Sequence, residues 1–231
     1  MTENQRMGQA NWLTIVAVLC AVASTAVVVR RELVAEPTLP QGRGRVAVEL
    51  VRDRASVENV GHLLGRPDAP LALVVFSDLE CPACGWFATK VYPDLKSKYG
   101  DQISLRFRHW PLKTHKFAYP AARAAECAAT QGRFQAFHDA VFSEQKLLGL
   151  KPFVQVAKES GVPDIAAFAA CAADTNRVES IERDMKAVLS IGGAGTPTLV
   201  LNGWQFVGGA GFTKLDSVAN SLLRGATASL K

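Results

Sequence analysis

Cys81-Pro82-Ala83-Cys84 carries the clearest chemistry in the chain. It lies between the apolar run Val74-Val75-Phe76 and the helix-compatible residues Gly85-Trp86-Phe87. A Cys-x-x-Cys at a strand-to-helix junction is a redox signature. Free backbone N–H groups and the positive end of a helix dipole stabilise a thiolate on the first cysteine. Pro82 has no N–H to lose and suits the first helical turn. Cys84, one turn on, is close enough to resolve a mixed disulfide. The spacing therefore assigns Cys81 as the attacking thiol and Cys84 as the resolving one. Pro82 and Ala83, between them, are assigned to substrate contact.

The second motif is Gly195-Thr196-Pro197-Thr198. A proline that opens a strand must sit where no N–H is needed. In the cis form it turns the chain sharply and leaves the Thr196 backbone free to meet a substrate strand, so Thr196 and Pro197 are also assigned to substrate binding. Cys81 and Cys84 could instead be half of a zinc site. The remaining cysteines lie singly and not in knuckle spacing, so no metal is expected. Glu80 and Asp78 read as charges at a strand end, and strand alternation points Glu80 away from Cys81. His109, His115 and His138 read as structural hydrogen-bonding groups, with Lys113 and His115 as possible groove residues. Trp86 and Phe87 read as core, Trp86 alternatively as an apolar rim.

These groups need a scaffold. Leu71–Phe76 is continuously apolar, as a strand buried on both faces requires. A helix follows the cysteines as far as Tyr99, with Pro93 expected to kink it. Ile103–Arg108 alternates strictly, which predicts a strand with one buried face and a βαβ crossover. Residues 114–190 read as an inserted block of helices, including Ala118–Ala129, Pro152–Ser160, Pro163–Ala172 and Thr175–Ile191. Thr198–Leu201 and Trp204–Val207 read as strands joined by an Asn202-Gly203 turn. Phe212–Leu223 closes the chain as an amphipathic helix. Val46–Val51 suits a first strand at a sheet edge, and Gly61–Pro70 reads as turn-rich.

The 231 residues, 48% of them hydrophobic and 20% charged, allow a sizeable core. The net charge of +5 is modest, and no stretch interleaves basic and aromatic residues as a nucleic-acid site does. Five cysteines are too few for a disulfide-scaffolded mini-protein. Cys20 lies in the uncharged run Trp12–Val29, and the other four could form one redox-active and one structural pair. That run, after a short tail at 1–11, spans about 27 Å as a helix, near the thickness of a bilayer core. It reads as a transmembrane anchor, with a cleaved signal peptide as the alternative. Residues 30–60 read as a linker with a possible first strand, Pro- and Gly-rich at 35–45. Residues 61–231 hold the catalytic domain. The distribution of Arg6, Arg30 and Arg31 slightly disfavours an exported C-terminal domain. The redox chemistry places that domain on the extracytoplasmic side.

The chain resembles the thioredoxin-fold thiol–disulfide oxidoreductases of the DsbA-like family, in their membrane-tethered or exported branch. The resemblance rests on Phe76-Ser77-Asp78-Leu79-Glu80-Cys81-Pro82-Ala83-Cys84, on Arg108-His109-Trp110-Pro111-Leu112, and on Ala121–Cys127. Gly132–Asp139, Gly195-Thr196-Pro197-Thr198 and Asn202-Gly203 complete it. It covers about residues 60–225. It implies an α/β thioredoxin-like fold with an inserted helical domain, behind an N-terminal transmembrane helix. It also implies a cis Pro197 facing the redox pair, and disulfide exchange with cysteine-containing unfolded or exported proteins. A membrane partner would recycle the dithiol, and no cofactor is needed. Relatives often carry a second disulfide in the insertion, which would join Cys127 to Cys171; otherwise these are two buried free cysteines. The Pro82-Ala83 dipeptide differs from that of the best-known oxidases. Oxidase activity is the expected direction, against a reductase or isomerase, or a non-catalytic binding or chaperone module.

Overall fold

A computed structural model of the chain describes residues 48–206 and 210–225. The anchor expected at 12–29 and the tether at 35–45 lie outside the described residues. Among the described residues no helix is long and apolar enough to cross a membrane.

Strands β1 (Val48–Leu50), β2 (His62–Leu64), β3 (Leu71–Ser77), β4 (Ile103–His109), β5 (Thr198–Leu201) and β6 (Trp204–Phe206) form one sheet. Its order is β1-β6-β5-β3-β4-β2. Only β3 and β4 run parallel, paired from Leu71↔Ile103 to Ser77↔His109; the other neighbours are antiparallel. The parallel pair needs a long crossover. Helix α2 (Pro82–Trp86), a π-type turn (Phe87–Val91) and helix α3 (Tyr92–Tyr99) supply it. The turn sits just ahead of Pro93, where the sequence predicted a kink. Pro93 offers no N–H to the preceding turn, and the Tyr92 N–H bonds Phe87 five residues back.

Side chains of β3 and β5 alternate between two cores. Leu73, Val75, Leu199 and Leu201 enter one; Val74, Phe76 and Val200 enter the other. The first core lies under α2, α3, the inserted helices and the closing helix. The second lies under a short helix at Arg54–Glu58, numbered α1, and under α8 (Glu179–Ser190). The Asp53 side chain caps α1 by accepting the Ser56 N–H at 3.2 Å.

The inserted block comprises α4 (Ala118–Ala129), α5 (Phe134–Ser143), α6 (Phe153–Glu159), α7 (Ile165–Ala173) and α8, with a 3-10 turn at Gln145–Leu147. A disulfide joins Cys127 of α4 to Cys171 of α7, with Cα atoms 5.9 Å apart. The closing helix, α9, spans Phe212–Leu223.

Two local expectations differ from the structure, and a third is met. β4 is buried on both faces, with Ser104 and Arg108 inside, because α8 covers the face whose alternating polar residues suggested solvent. Arg108 is tolerated there because Asp184 of α8 accepts its guanidinium at 2.8 Å. Residues 61–70 hold the edge strand β2, whose three residues are ordered by pairing with β4 rather than by a periodicity of their own. The Asn202-Gly203 turn is two residues long, with φ of 46° and 84°. That is the conformation that favours this dipeptide in tight hairpins. The Asn202 amide also bonds Ala72 N–H and Pro70 C=O, each at 2.8 Å, so the hairpin is tied to the start of β3.

Candidate redox site

Strand β3 ends at Ser77, and four residues later Cys81 is the N-cap of α2. Pro82 occupies the first turn, where its missing N–H costs nothing. The Gly85 N–H bonds back to Cys81 C=O at 3.0 Å and closes the turn around the two sulfurs. Cys81 and Cys84 are both free thiols. Cys81 keeps 7% of its surface exposed, whereas Cys84 keeps none.

This difference in depth separates the thiols chemically. The Cys81 thiol is pulled down to about 5, chiefly because the Cys84 side chain hydrogen-bonds to it. Burial opposes that shift, while Thr196 and the backbone N–H groups of Cys84 and Ala83 add to it. Burial, followed by the hydrogen bond and charge of Cys81, pushes Cys84 well above the usual thiol range. At pH 7 Cys81 is therefore predominantly thiolate, and Cys84 holds its proton.

The loop before β5 completes the site. The Thr196 carbonyl lies 3.6 Å from Cys81 Sγ, and the Thr196–Pro197 bond is cis. Thr196 and Pro197 are partly exposed, as is Ala83, and Pro82 is exposed. Of these four positions, Pro82 and Ala83 follow Cys81 directly in α2, and Thr196 reaches its sulfur from the loop before β5. An apolar cleft lined by Leu64, Val75, Phe87, Tyr92, His138 and Phe142 lies elsewhere, with neither redox cysteine in its wall.

Beneath the turn sits Asp78, 1% exposed. Its Oδ1 accepts the Glu80 N–H at 2.7 Å, and its Oδ2 accepts the Leu112 N–H at 2.8 Å. His115 Nδ1 lies 2.7 Å from the same Oδ2. Burial pulls the His115 ring down, but Asp78, Cys81 and Glu80 outweigh it and leave the ring above its ordinary value. The Asp78 N–H also reaches Cys84 Sγ at 3.4 Å. Asp78 is thus an anchor for both the redox turn and the Leu112–His115 loop, more than the strand-end charge read from the sequence. Glu80 accepts the Phe117 N–H at 2.5 Å. Trp86 is partly buried and packs against the main core, and Phe87 is buried in it.

One site residue has no signal in the sequence. Gln145, in the insertion, donates from Nε2 to the carbonyls of Leu79 and Cys81, each at 2.9 Å. Gly85 makes room for it, since a Cβ there would lie 2.3 Å from Gln145 Oε1. The inserted helices therefore hold the backbone on which the reactive sulfur is mounted. Nothing local marks Gln145, which lies 64 residues from Cys81.

A family model described as thioredoxin matches residues 58–218. The Na(+)/H(+) antiporter NhaA of Herminiimonas arsenicoxydans is 33% identical over 166 residues, which cover 72% of this chain and 26% of that protein. The chain spans about a quarter or less of the length of the curated relatives it matches. Among solved structures, a thioredoxin-like oxidoreductase from Silicibacter pomeroyi DSS-3 superposes with a TM-score of 0.62 at 25% identity. That match covers 75% of this chain and 99% of the other. Oxidised BdbD from Bacillus subtilis superposes with a TM-score of 0.65 at 18% identity, over 78% of this chain and 100% of the other.

Proposed function

The chain belongs to the thioredoxin family, and from that premise we propose that it is a thiol–disulfide oxidoreductase that forms disulfides in exported proteins. The observation that carries this reading is the opposite tuning of the two thiols, Cys81 low and still reaching the surface with 7% of its area, Cys84 high and fully buried. A low pKa on the outer cysteine stabilises the reduced dithiol, and a pair with a stable reduced form is a strong oxidant.

In the proposed cycle a substrate thiolate attacks Cys81 Sγ of the Cys81–Cys84 disulfide. The enzyme S–S bond breaks, and the electron pair goes to Cys84, which takes up a proton. A second substrate thiolate then attacks the substrate sulfur of the mixed disulfide. The substrate gains its disulfide, and Cys81 leaves as a thiolate. Two electrons have passed from the substrate to the enzyme. The low pKa of Cys81 makes it the better leaving group. Thr196, Pro197, Pro82 and Ala83 frame the approach. A membrane redox partner would accept the two electrons and restore the disulfide. These steps call for no metal or organic cofactor.

The Cys127–Cys171 disulfide supports a working site outside the cytoplasm, where disulfides persist. We assign residues 12–29 the role of a single-pass anchor, with the domain on the extracytoplasmic side. Antiport forms no part of this reading, because the match covers only 26% of the antiporter.

The deciding experiment is the equilibrium potential of Cys81–Cys84 against glutathione. An oxidase is expected above about −200 mV, whereas a value near about −270 mV makes the protein a reductase. Cys81→Ser should abolish exchange with a reduced unfolded protein. Cys84→Ser should accumulate mixed disulfides visible by mass spectrometry. Unchanged exchange by Cys81→Ser would remove the assignment altogether.

A further inference from the structure

Three residues distant in the sequence converge where β2, β4 and α4 meet. They are His62 on edge strand β2, His109 at the end of β4, and Glu126 on α4. Their ligand atoms all lie within 4.8 Å of one another. His62 Nε2 is 2.5 Å from Glu126 Oε1, and His109 Nε2 is 3.0 Å from the same oxygen. We propose that His62, His109 and Glu126 form a binding site for a borderline divalent transition metal, with Zn2+ the best match. The ion would tie the helical insertion to the sheet.

The donor set points to that class of ion. Two imidazoles and one carboxylate suit zinc and its first-row neighbours, whereas calcium and magnesium take oxygen ligands. Zinc bonds of about 2.0–2.2 Å place tetrahedral ligand atoms roughly 3.4 Å apart. The His109–Glu126 separation is near this value. The His62–Glu126 pair must open by about 1 Å, and His62 stands on a three-residue edge strand with its side chain 24% exposed.

The ligands are held in place from outside the triad. Ser180 Oγ donates to Glu126 Oε2 at 2.7 Å, which leaves Oε1 turned toward the two rings. The His62 ring stacks on Phe134 with centroids 3.6 Å apart, and His109 meets Phe107 edge-on at 5.0 Å. Outer contacts that orient the ligands are a feature of metal centres.

His109 adds an independent observation. It is 1% exposed, and neither ring nitrogen makes a hydrogen bond, even though Nε2 is 3.0 Å from a carboxylate oxygen. A buried polar group without a partner is unusual and calls for an explanation such as an absent ion. A metal would engage Nε2. The partly exposed edges of His62 and Glu126 open the triad toward solvent, which gives the ion an approach and a place for a water ligand.

Glu126 precedes Cys127, whose disulfide fastens the same turn of α4 to α7. Adjacent residues of one helix would thus be bound, one to the sheet through the ion and one to the rest of the insertion.

The test uses the full chain carrying Cys81→Ser and Cys84→Ser, so that the redox thiols cannot hold the metal. The protein is stripped with a chelator, then titrated with Zn2+ by calorimetry and with Co2+ by visible absorption. One equivalent is expected, with the strong visible bands of four- or five-coordinate Co2+. His62→Ala and Glu126→Gln should each weaken binding at least tenfold. Circular dichroism of each variant reports its folding. Should Glu126→Gln misfold, the partly exposed His62→Ala decides alone. No binding to this double variant overturns the proposal, as does binding that His62→Ala leaves intact. Because the readout is metal uptake, either result leaves the oxidoreductase assignment untouched.

Discussion

The sulfur of Cys81 lies 3.6 Å from the carbonyl oxygen of Thr196, 115 residues further along the chain. Strand β3 carries the first residue to this meeting and β5 the second. The two strands are antiparallel neighbours, paired from Leu73↔Leu201 to Phe76↔Thr198, so the segment leaving the end of one meets the segment entering the other. On the proposed function, this is where an extended substrate bonded to the loop at Thr196 would meet the Cys81 sulfur.

Alkylation of Cys81 in the reduced protein should follow one titration with a midpoint near pH 5, while Cys84 stays protected. The folded value lies below that of a free thiol, about 8.5. The ionised thiol therefore favours the reduced native state fully above that value, and the advantage is lost as pH falls through about 5. Urea unfolding of reduced and oxidised protein should show their stability difference changing by up to about 1.4 kcal/mol per pH unit in that window. A difference that does not move with pH would contradict the assignment of a low-pKa thiol.

Gln145→Ala should slow exchange several-fold and shift the alkylation profile of Cys81, because two carbonyls of the redox turn lose their shared donor. The cost in stability should be modest, about 1–2 kcal/mol for two net hydrogen bonds. Gly85→Ala displaces the same amide and should act similarly. The double variant should be little worse than either single one, the non-additivity expected of contacting residues. Simple addition of the two effects would show that Gln145 acts elsewhere.

Cys171→Ser should lower stability by about 2–4 kcal/mol, the usual contribution of a bridge that closes a loop of this kind. Cys171 is on the surface and Cys127 is buried, so substitution of Cys171 disturbs packing less. Urea denaturation checks the magnitude. The Cys81–Cys84 potential should stay unchanged, since the bridge does not touch either sulfur of the redox pair.

Asp184→Ala should be far more damaging than its place on a polar-looking helix suggests. Asp184 accepts the Arg108 guanidinium and, at 2.9 Å, the His109 N–H. Its loss leaves a charge 1% exposed without its counter-ion, which costs about 3–5 kcal/mol. Arg108→Met combined with Asp184→Leu should recover much of that loss, because apolar residues of similar size avoid the buried charge. Thermal or urea unfolding distinguishes the two outcomes.

The sequence by itself determined whatever rests on local pattern. Leu71–Phe76 had to be a buried strand because it is apolar at every position. The Cys-x-x-Cys had to meet a helix start because Pro82 and the free N–H groups belong there. Asn202-Gly203 had to be a tight turn because both residues tolerate positive φ. The helices of the insertion were legible from their periodicity to within a few residues.

Tertiary structure decided what depends on a surface supplied from elsewhere in the chain. The polar positions of β4 suggest a solvent face, yet α8 covers that face and brings Asp184 to Arg108. β2 has too few residues for a pattern and exists because β4 offers it an edge. Gln145 acquires its role only when the insertion folds back over α2, and His62, His109 and Glu126 become neighbours only when β2, β4 and α4 close together. Periodicity reports which side of an element is apolar; which polar groups end up buried together, and with which partner, is settled by long-range packing.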